Sequence, residues 1–147
     1  MAFRFTLDVL LRVRESIERQ QEARLQEANQ CLALLLQRSQ NLEARMTDLT
    51  ASRLHELALG LSAAELQFNL LCRGVLAQEQ SVLQREIARA EANRNQCRQA
   101  FQQARQQREV VDTLRHHQLL AYRREQARLE QRRLDDLFLL RRAHKRS

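Results

Sequence analysis

Leu59-Gly60-Leu61-Ser62-Ala63-Ala64-Glu65-Leu66 is the stretch where the helical pattern of this chain is most strongly interrupted. Gly60 is free to take the left-handed conformation that closes a helix. Ser62 and Glu65 have the S-x-x-E spacing of a capping box, and Leu61 with Leu66 occupy the positions of a hydrophobic staple around that cap. Three signals of different physical origin therefore place one corner at about residues 59–62, between a helix expected over about 3–58 and another over about 63–143.

On both sides of this corner the apolar residues recur in threes and fours, the stripe of a coiled-coil helix. Before it, Phe3, Leu10 and Ile17 make one heptad row and Ala28, Leu35, Leu42 and Leu49 another. The two rows are out of phase, and an eleven-residue step across Arg14, Ile17, Gln21 and Leu25 joins them, locally relaxing the supercoil. After the corner, Leu76, Leu83, Ala90, Cys97, Ala104 and Val111 form a longer row, with Ile87 and Phe101 at the alternate positions. The expected fold is all-α: an antiparallel two-helix coiled-coil hairpin forming a single domain over residues 1–147. Folding about residue 60 brings Phe3 near residue 119 and leaves the last 25 or so residues beyond the paired part. An alternative lets Gly74 divide off a short helix, residues 62–72, at the tip.

Composition agrees with helices throughout. The 147 residues include 2 Gly, no Pro, no Trp, 1 Tyr and 5 Phe. About half are Leu, Arg or Gln, all good helix formers, whereas sheets need turn residues and β-branched or aromatic strands. No stretch approaches the roughly 20 apolar residues of a membrane span. The opening is broken by Arg4, Asp8, Arg12 and Arg14 and lacks the apolar core of a secretory signal. Cys31, Cys72 and Cys97 are widely spaced and odd in number, which fits neither a disulfide framework nor a zinc site. A reducing cytoplasm is the expected home.

These features argue against an enzyme, because catalysis needs convergent groups in a water-excluding cleft and a two-helix rod has none. No catalytic residue, cofactor or metal site is expected. His116 and His117 are neighbours about 100° apart around a helix, so they do not form an i, i+4 ligand pair. Cys97 lies on the apolar row as a small hydrophobe. The formal charge of +7 is uneven: residues 120–147 hold nine basic side chains against four acidic ones, and Lys145 is the sole lysine in the chain. An Arg-rich helix can neutralise nucleic-acid phosphates, but Glu125, Glu130, Asp135 and Asp136 oppose that use and aromatics are scarce. The arginines also spread around the helix rather than bordering one apolar face, which argues against a membrane surface. Leu10-Leu11, Leu34-Leu35-Leu36, Leu119-Leu120 and Leu139-Leu140 exceed what a narrow seam buries, so another surface is expected to cover them, either a protein partner or a second copy.

The two chain ends carry a family resemblance. Phe3-Arg4-Phe5-Thr6-Leu7 followed by Val9-Leu10-Leu11-Arg12-Val13-Arg14-Glu15 resembles the opening of the FliJ family, the small coiled-coil component of the bacterial flagellar type III export apparatus. Tyr122-Arg123-Arg124-Glu125, then Arg128-Leu129-Glu130-Gln131-Arg132-Arg133-Leu134-Asp135-Asp136, is similar to that family's closing pattern. The resemblance implies a hairpin like the rotor stalk of rotary ATPases, with both termini directed at a hexameric flagellar export ATPase whose assembly it promotes. It also implies contact with the cytoplasmic domain of the export gate and with export chaperones, no activity of its own, and a cytoplasmic position at the membrane beneath the flagellar basal body. On this resemblance the ATPase-binding residues are Phe3, Phe5, Leu10, Leu11, Arg12, Arg14, Arg132, Arg133, Leu134 and Asp135. The central region shows no matching motif for the gate. An injectisome stalk protein, a basic coiled-coil nucleic-acid binder and a dimerising structural coiled coil stand as alternatives.

Overall fold

The computed structural model describes residues 2–60 and 62–147. They form two helices, α1 (Asp8–Leu59) and α2 (Ala63–Arg146), packed against each other as a helical hairpin, with no strand among the described residues. The chain divides into two compact units: Met1–Arg19 with Gln102–Ser147, and Gln20–Phe101.

In the second unit the corner is made as its residue types require. Gly60 has φ 88°, the sole positive φ among the described residues. Its amide donates to the carbonyl of Leu57 (3.4 Å), closing the last turn of α1. The capping box is reciprocal: the Glu65 amide donates to Ser62 Oγ (3.3 Å) while the Ser62 amide donates to Glu65 Oε2 (3.2 Å). Two donors that the helix start leaves without backbone partners are thereby satisfied. The expected staple involves Leu61, which lies outside the described residues; Leu66 is half-buried. Behind the corner, Ala28, Leu32, Leu42 and Leu83 are buried. Asn69 donates to Glu56 (3.3 Å), and Arg38 pairs with Glu79 (3.6 Å), so the helices run antiparallel. α2 continues through Gly74 without a break, since an interior glycine costs a helix only about 1 kcal/mol and its neighbours are strong helix formers.

The first unit begins differently from the expected helix at Phe3. Residues 2–5 are not helical, residues 6–7 form a turn in which the Asp8 amide donates to the Phe5 carbonyl (3.2 Å), and α1 starts at Asp8. The delay has a packing reason. Phe5 is buried with Leu11 and Val111, Phe3 packs against that cluster, and the ring of Phe3 lies 5.5 Å from Tyr122. A non-helical approach lets Phe3 and Phe5, two positions apart, both reach the seam. Asp8, now in the first turn, complements the positive end of the helix dipole.

The register of α1 also departs from the apolar pattern. Leu10 is exposed at 37 % whereas Leu11 is buried at 3 %. Two heptad rows run along the buried and half-buried side of α1, Leu11, Glu18, Leu25, Leu32, Ser39, Met46, Arg53 and Arg14, Gln21, Ala28, Leu35, Leu42, Leu49, with Glu15, Ile17 and Thr50 half-buried beside them. Arg14, Ile17, Gln21 and Leu25, the positions of the expected eleven-residue step, are all half-buried. Arg14 and Glu18 sit at seam positions, held there by Gln107 and Arg108 of α2. The α2 row from Leu76 to Val111 is buried or half-buried at every member, and so are Ile87 and Phe101.

Candidate functional site

Both chain ends lie in the first unit. Its inward side is a mixed seam. Arg14 donates through Nη1 to Gln107 Oε1, and Arg108 donates through Nε and Nη2 to the two carboxylate oxygens of Glu18. Arg108 also lies 3.8 Å from Asp112. The hydrogen bond that Arg108 donates to Glu18, opposed by partial desolvation and helped by the charges of Glu18, Glu109 and Asp112, raises the guanidinium pKa above its ordinary value. Neither Glu18 nor Arg108 stands out in the sequence, because neither is apolar; their heptad spacing from Leu25 and Phe101 is the signal that finds them.

The residues suggested by the end motifs fall into two groups. Phe3, Phe5, Leu11 and Arg14 face partners within the unit, as described above. Leu10 is exposed at 37 %, at the edge of the seam, and Arg12 pairs with Asp8 (3.2 Å) on the exposed side. Arg132, Arg133, Leu134 and Asp135 are all exposed; Leu134 keeps 60 % of its accessible surface, and Asp135 accepts a hydrogen bond from Gln131 (3.1 Å).

Every residue from Ala127 to Ser147 is exposed, although α2 stays helical to Arg146. Local contacts support this stretch: Arg128 pairs with Glu125 (3.5 Å), and His144, Lys145 and Arg146 sit at the negative end of the helix dipole. Within it Leu137, Phe138, Leu139 and Leu140 are exposed at 53, 65, 60 and 66 %. A helix in water does not ordinarily leave four consecutive large apolar side chains so open. The described residues contain no group of three or more His, Cys, Asp or Glu that could hold a metal ion.

A family model described as "Flagellar FliJ protein" matches residues 3–147, nearly the whole chain. The chain belongs to the FliJ family. It therefore belongs with flagellar export components, in a family of structural stalk proteins and not in a known enzyme family. No curated protein matches the chain, and no solved structure does. In this FliJ-family chain no helix among the described residues is long and apolar enough to cross a membrane. His116 and His117 are both exposed, their rings 6.5 Å apart. Cys97 is half-buried on the seam, as is Cys72 on α2, whereas Cys31 is exposed.

Proposed function

We propose that this protein is a non-enzymatic stalk of the flagellar type III export apparatus, binding the hexameric export ATPase with its paired chain ends and promoting assembly of the ring. The observation that supports this reading best is the state of those ends. The N-terminal segment is anchored to α2 by Phe3, Phe5 and Leu11, while Leu10, Arg12, Arg132, Arg133, Leu134 and Asp135 stay outward. In this scheme the anchored residues fix the geometry and the outward ones make the contacts. Arginine suits them, since its planar, weakly hydrated guanidinium forms forked bonds to carboxylates.

On the same reading the protein works in the cytoplasm at the membrane face beneath the basal body, touches the cytoplasmic domain of the export gate, and hands over export chaperones. The experiment is to measure the ATPase rate and oligomer size of the organism's flagellar export ATPase with and without the full chain. A basic coiled coil of equal charge serves as control. Stimulation and ring formation specific to this chain are expected; equal behaviour of the control removes the reading. Binding to DNA or RNA that collapses with salt would replace it with a nucleic-acid role.

A further inference from the structure

In the paired part of the first unit, residues 8–19 and 102–121, every carboxylate is in an ion pair: Asp8 with Arg12, Glu15 with Arg19, Glu18 and Asp112 with Arg108, and Glu109 with Arg105. Arg14 is half-buried on the seam and has no carboxylate partner among the described residues; it donates to the neutral amide oxygen of Gln107. This unmatched cation borders an apolar groove. Leu10 and Ile17 stand four residues before and three after Arg14, so they share its side of α1, with Val13 beside them. Val110 and Leu114 stand three and seven residues after Gln107 and share its side of α2. Because Arg14 and Gln107 meet across the helices, the two apolar stripes flank one groove. Leu10, Val13, Val110 and Leu114 are exposed and Ile17 is half-buried. Leu10 and Ile17 belong to the heptad row that begins at Phe3, a helical repeat that the pairing of α1 with α2 leaves at the edge of the seam.

The other side of the unit is built for water. Arg12, Arg19 and Glu109 each lie two residues on from Leu10, Ile17 and Gln107, about 200° further round their helices, and their pairs with Asp8, Glu15 and Arg105 cover that side with matched charge. We infer that the groove seats one further helix, an amphipathic segment of another protein that lays an apolar stripe on Leu10, Val13, Ile17, Val110 and Leu114 and brings a carboxylate to Arg14. Charge complementarity selects this occupant. A second copy docked through the same face would set Arg14 against Arg14 with no carboxylate to neutralise either. The apolar part is also short, about 10 Å or two turns, which seats the few anchors of a single helix but not a dimer interface of roughly 1,200 Å² or more. Arginine suits the contact, since its fork binds a carboxylate through two parallel hydrogen bonds. Of the outward residues assigned to the ATPase only Leu10 belongs to the groove, so this inference stands apart from that reading.

The probe is a pair of labelled helical peptides of three heptads, both with leucine at the core positions, one with glutamate and its twin with lysine at the flanking positions. Each is titrated against the full chain by fluorescence anisotropy at physiological salt. The glutamate peptide is expected to bind about tenfold or more tighter than its lysine twin, as a carboxylate meeting a half-buried guanidinium should. Val110→Gln and Leu114→Gln, at sites already in water, are each expected to weaken it by about tenfold, the worth of one enclosed apolar anchor, while Arg105→Gln on the charged side binds like the parent. Arg14→Gln is expected to erase most of the preference for glutamate over lysine. Circular dichroism of each variant checks that the hairpin is intact. Equal binding of the two peptides, or none, overturns the proposal. Glutamate-peptide binding that Val110→Gln and Leu114→Gln leave unchanged lies elsewhere on the basic chain and overturns the groove. Sedimentation of the chain alone completes the set: a dimer that the same two variants dissociate makes a second copy the occupant, and overturns the proposal.

Discussion

Arg108 on α2 donates to both carboxylate oxygens of Glu18 on α1, a forked ion pair set across the seam of the first unit at a position where coiled coils ordinarily place an apolar residue. The two side chains retain only 24 % and 18 % of their accessible surface. Together with Arg14 and Gln107 they form a polar layer between the Phe5–Leu11–Val111 cluster and Ala104. Removing one partner leaves a half-buried charge without its mate. Arg108→Leu is therefore expected to destabilise the hairpin by about 1–2 kcal/mol, less than a fully buried pair would give because water still reaches it. The double variant Glu18→Leu/Arg108→Leu is expected to return to within about 1 kcal/mol of the parent. Thermal unfolding followed by circular dichroism decides; single variants as stable as the parent would show that the pair contributes nothing.

The same pair has a defined pH behaviour on its basic side. The Arg108 guanidinium is raised above its ordinary range in the folded state. A base whose folded value lies above its unfolded one contributes stability that is fully present below the unfolded value and is lost as pH rises through the folded one. Arginine places that window in strongly alkaline solution. The difference in stability between the parent and Arg108→Leu is expected to stay constant from neutral pH to about pH 10, which denaturant titrations at a series of pH values will check.

The two glycines predict opposite outcomes for the same substitution. Gly60 has φ 88° with open space where a Cβ would sit, so Gly60→Ala meets no clash but pays the left-handed strain, about 1–2 kcal/mol. Gly74 lies inside α2, also with open space around it, and Gly74→Ala is expected to stabilise by about 0.5–1 kcal/mol. Shifts of the same sign in urea unfolding midpoints would contradict the corner geometry.

Ser62→Ala removes the oxygen that accepts from the Glu65 amide and breaks the reciprocal cap. A loss of about 1 kcal/mol is expected. Because the cap lies in the second unit, amide hydrogen exchange should speed up in the first turn of α2 while the amides around Val111 keep their protection.

Arg132→Ala/Arg133→Ala tests binding without touching the fold. Both side chains are exposed, so the thermal midpoint is expected to stay within a degree or two of the parent while affinity for the export ATPase falls by about tenfold or more. Unchanged ATPase binding by isothermal titration would remove these residues from the interface.

The corner was legible in the residue types because glycine and the S-x-x-E spacing act locally, through backbone strain and two hydrogen bonds that need no distant partner. The α2 row from Leu76 to Val111 was legible because its members are all apolar. The start of α1 was not. Phe3, Leu10 and Ile17 repeat at sevens, yet Leu10 is exposed and the seam also takes Leu11, Arg14 and Glu18, the last two polar and held by partners about ninety positions away, Gln107 and Arg108. Apolar periodicity cannot see a seam position occupied by a charge. The delayed helix start has the same origin, since what holds Phe3 and Phe5 out of the helix is contact with Tyr122 and Val111. At the site, the basic character of the tail was plain from the sequence, whereas the all-round exposure of residues 137–140 depends on where the pairing with α1 ends.

The unaccompanied run of α2 from Ala127 onward carries a kinetic consequence. Beyond the last packed turn each residue is held by its backbone bond and at most by exposed side-chain contacts within the same helix, with a propagation constant near one, so unwinding starts at the C-terminal end and travels inward on the microsecond scale. Arg128, Arg132, Arg133, Arg141 and Arg142 make this run the place where trypsin cuts first. Any partner that grips it does so by arresting the fraying, and the rate of clipping then becomes a clock for how long the tail stays held.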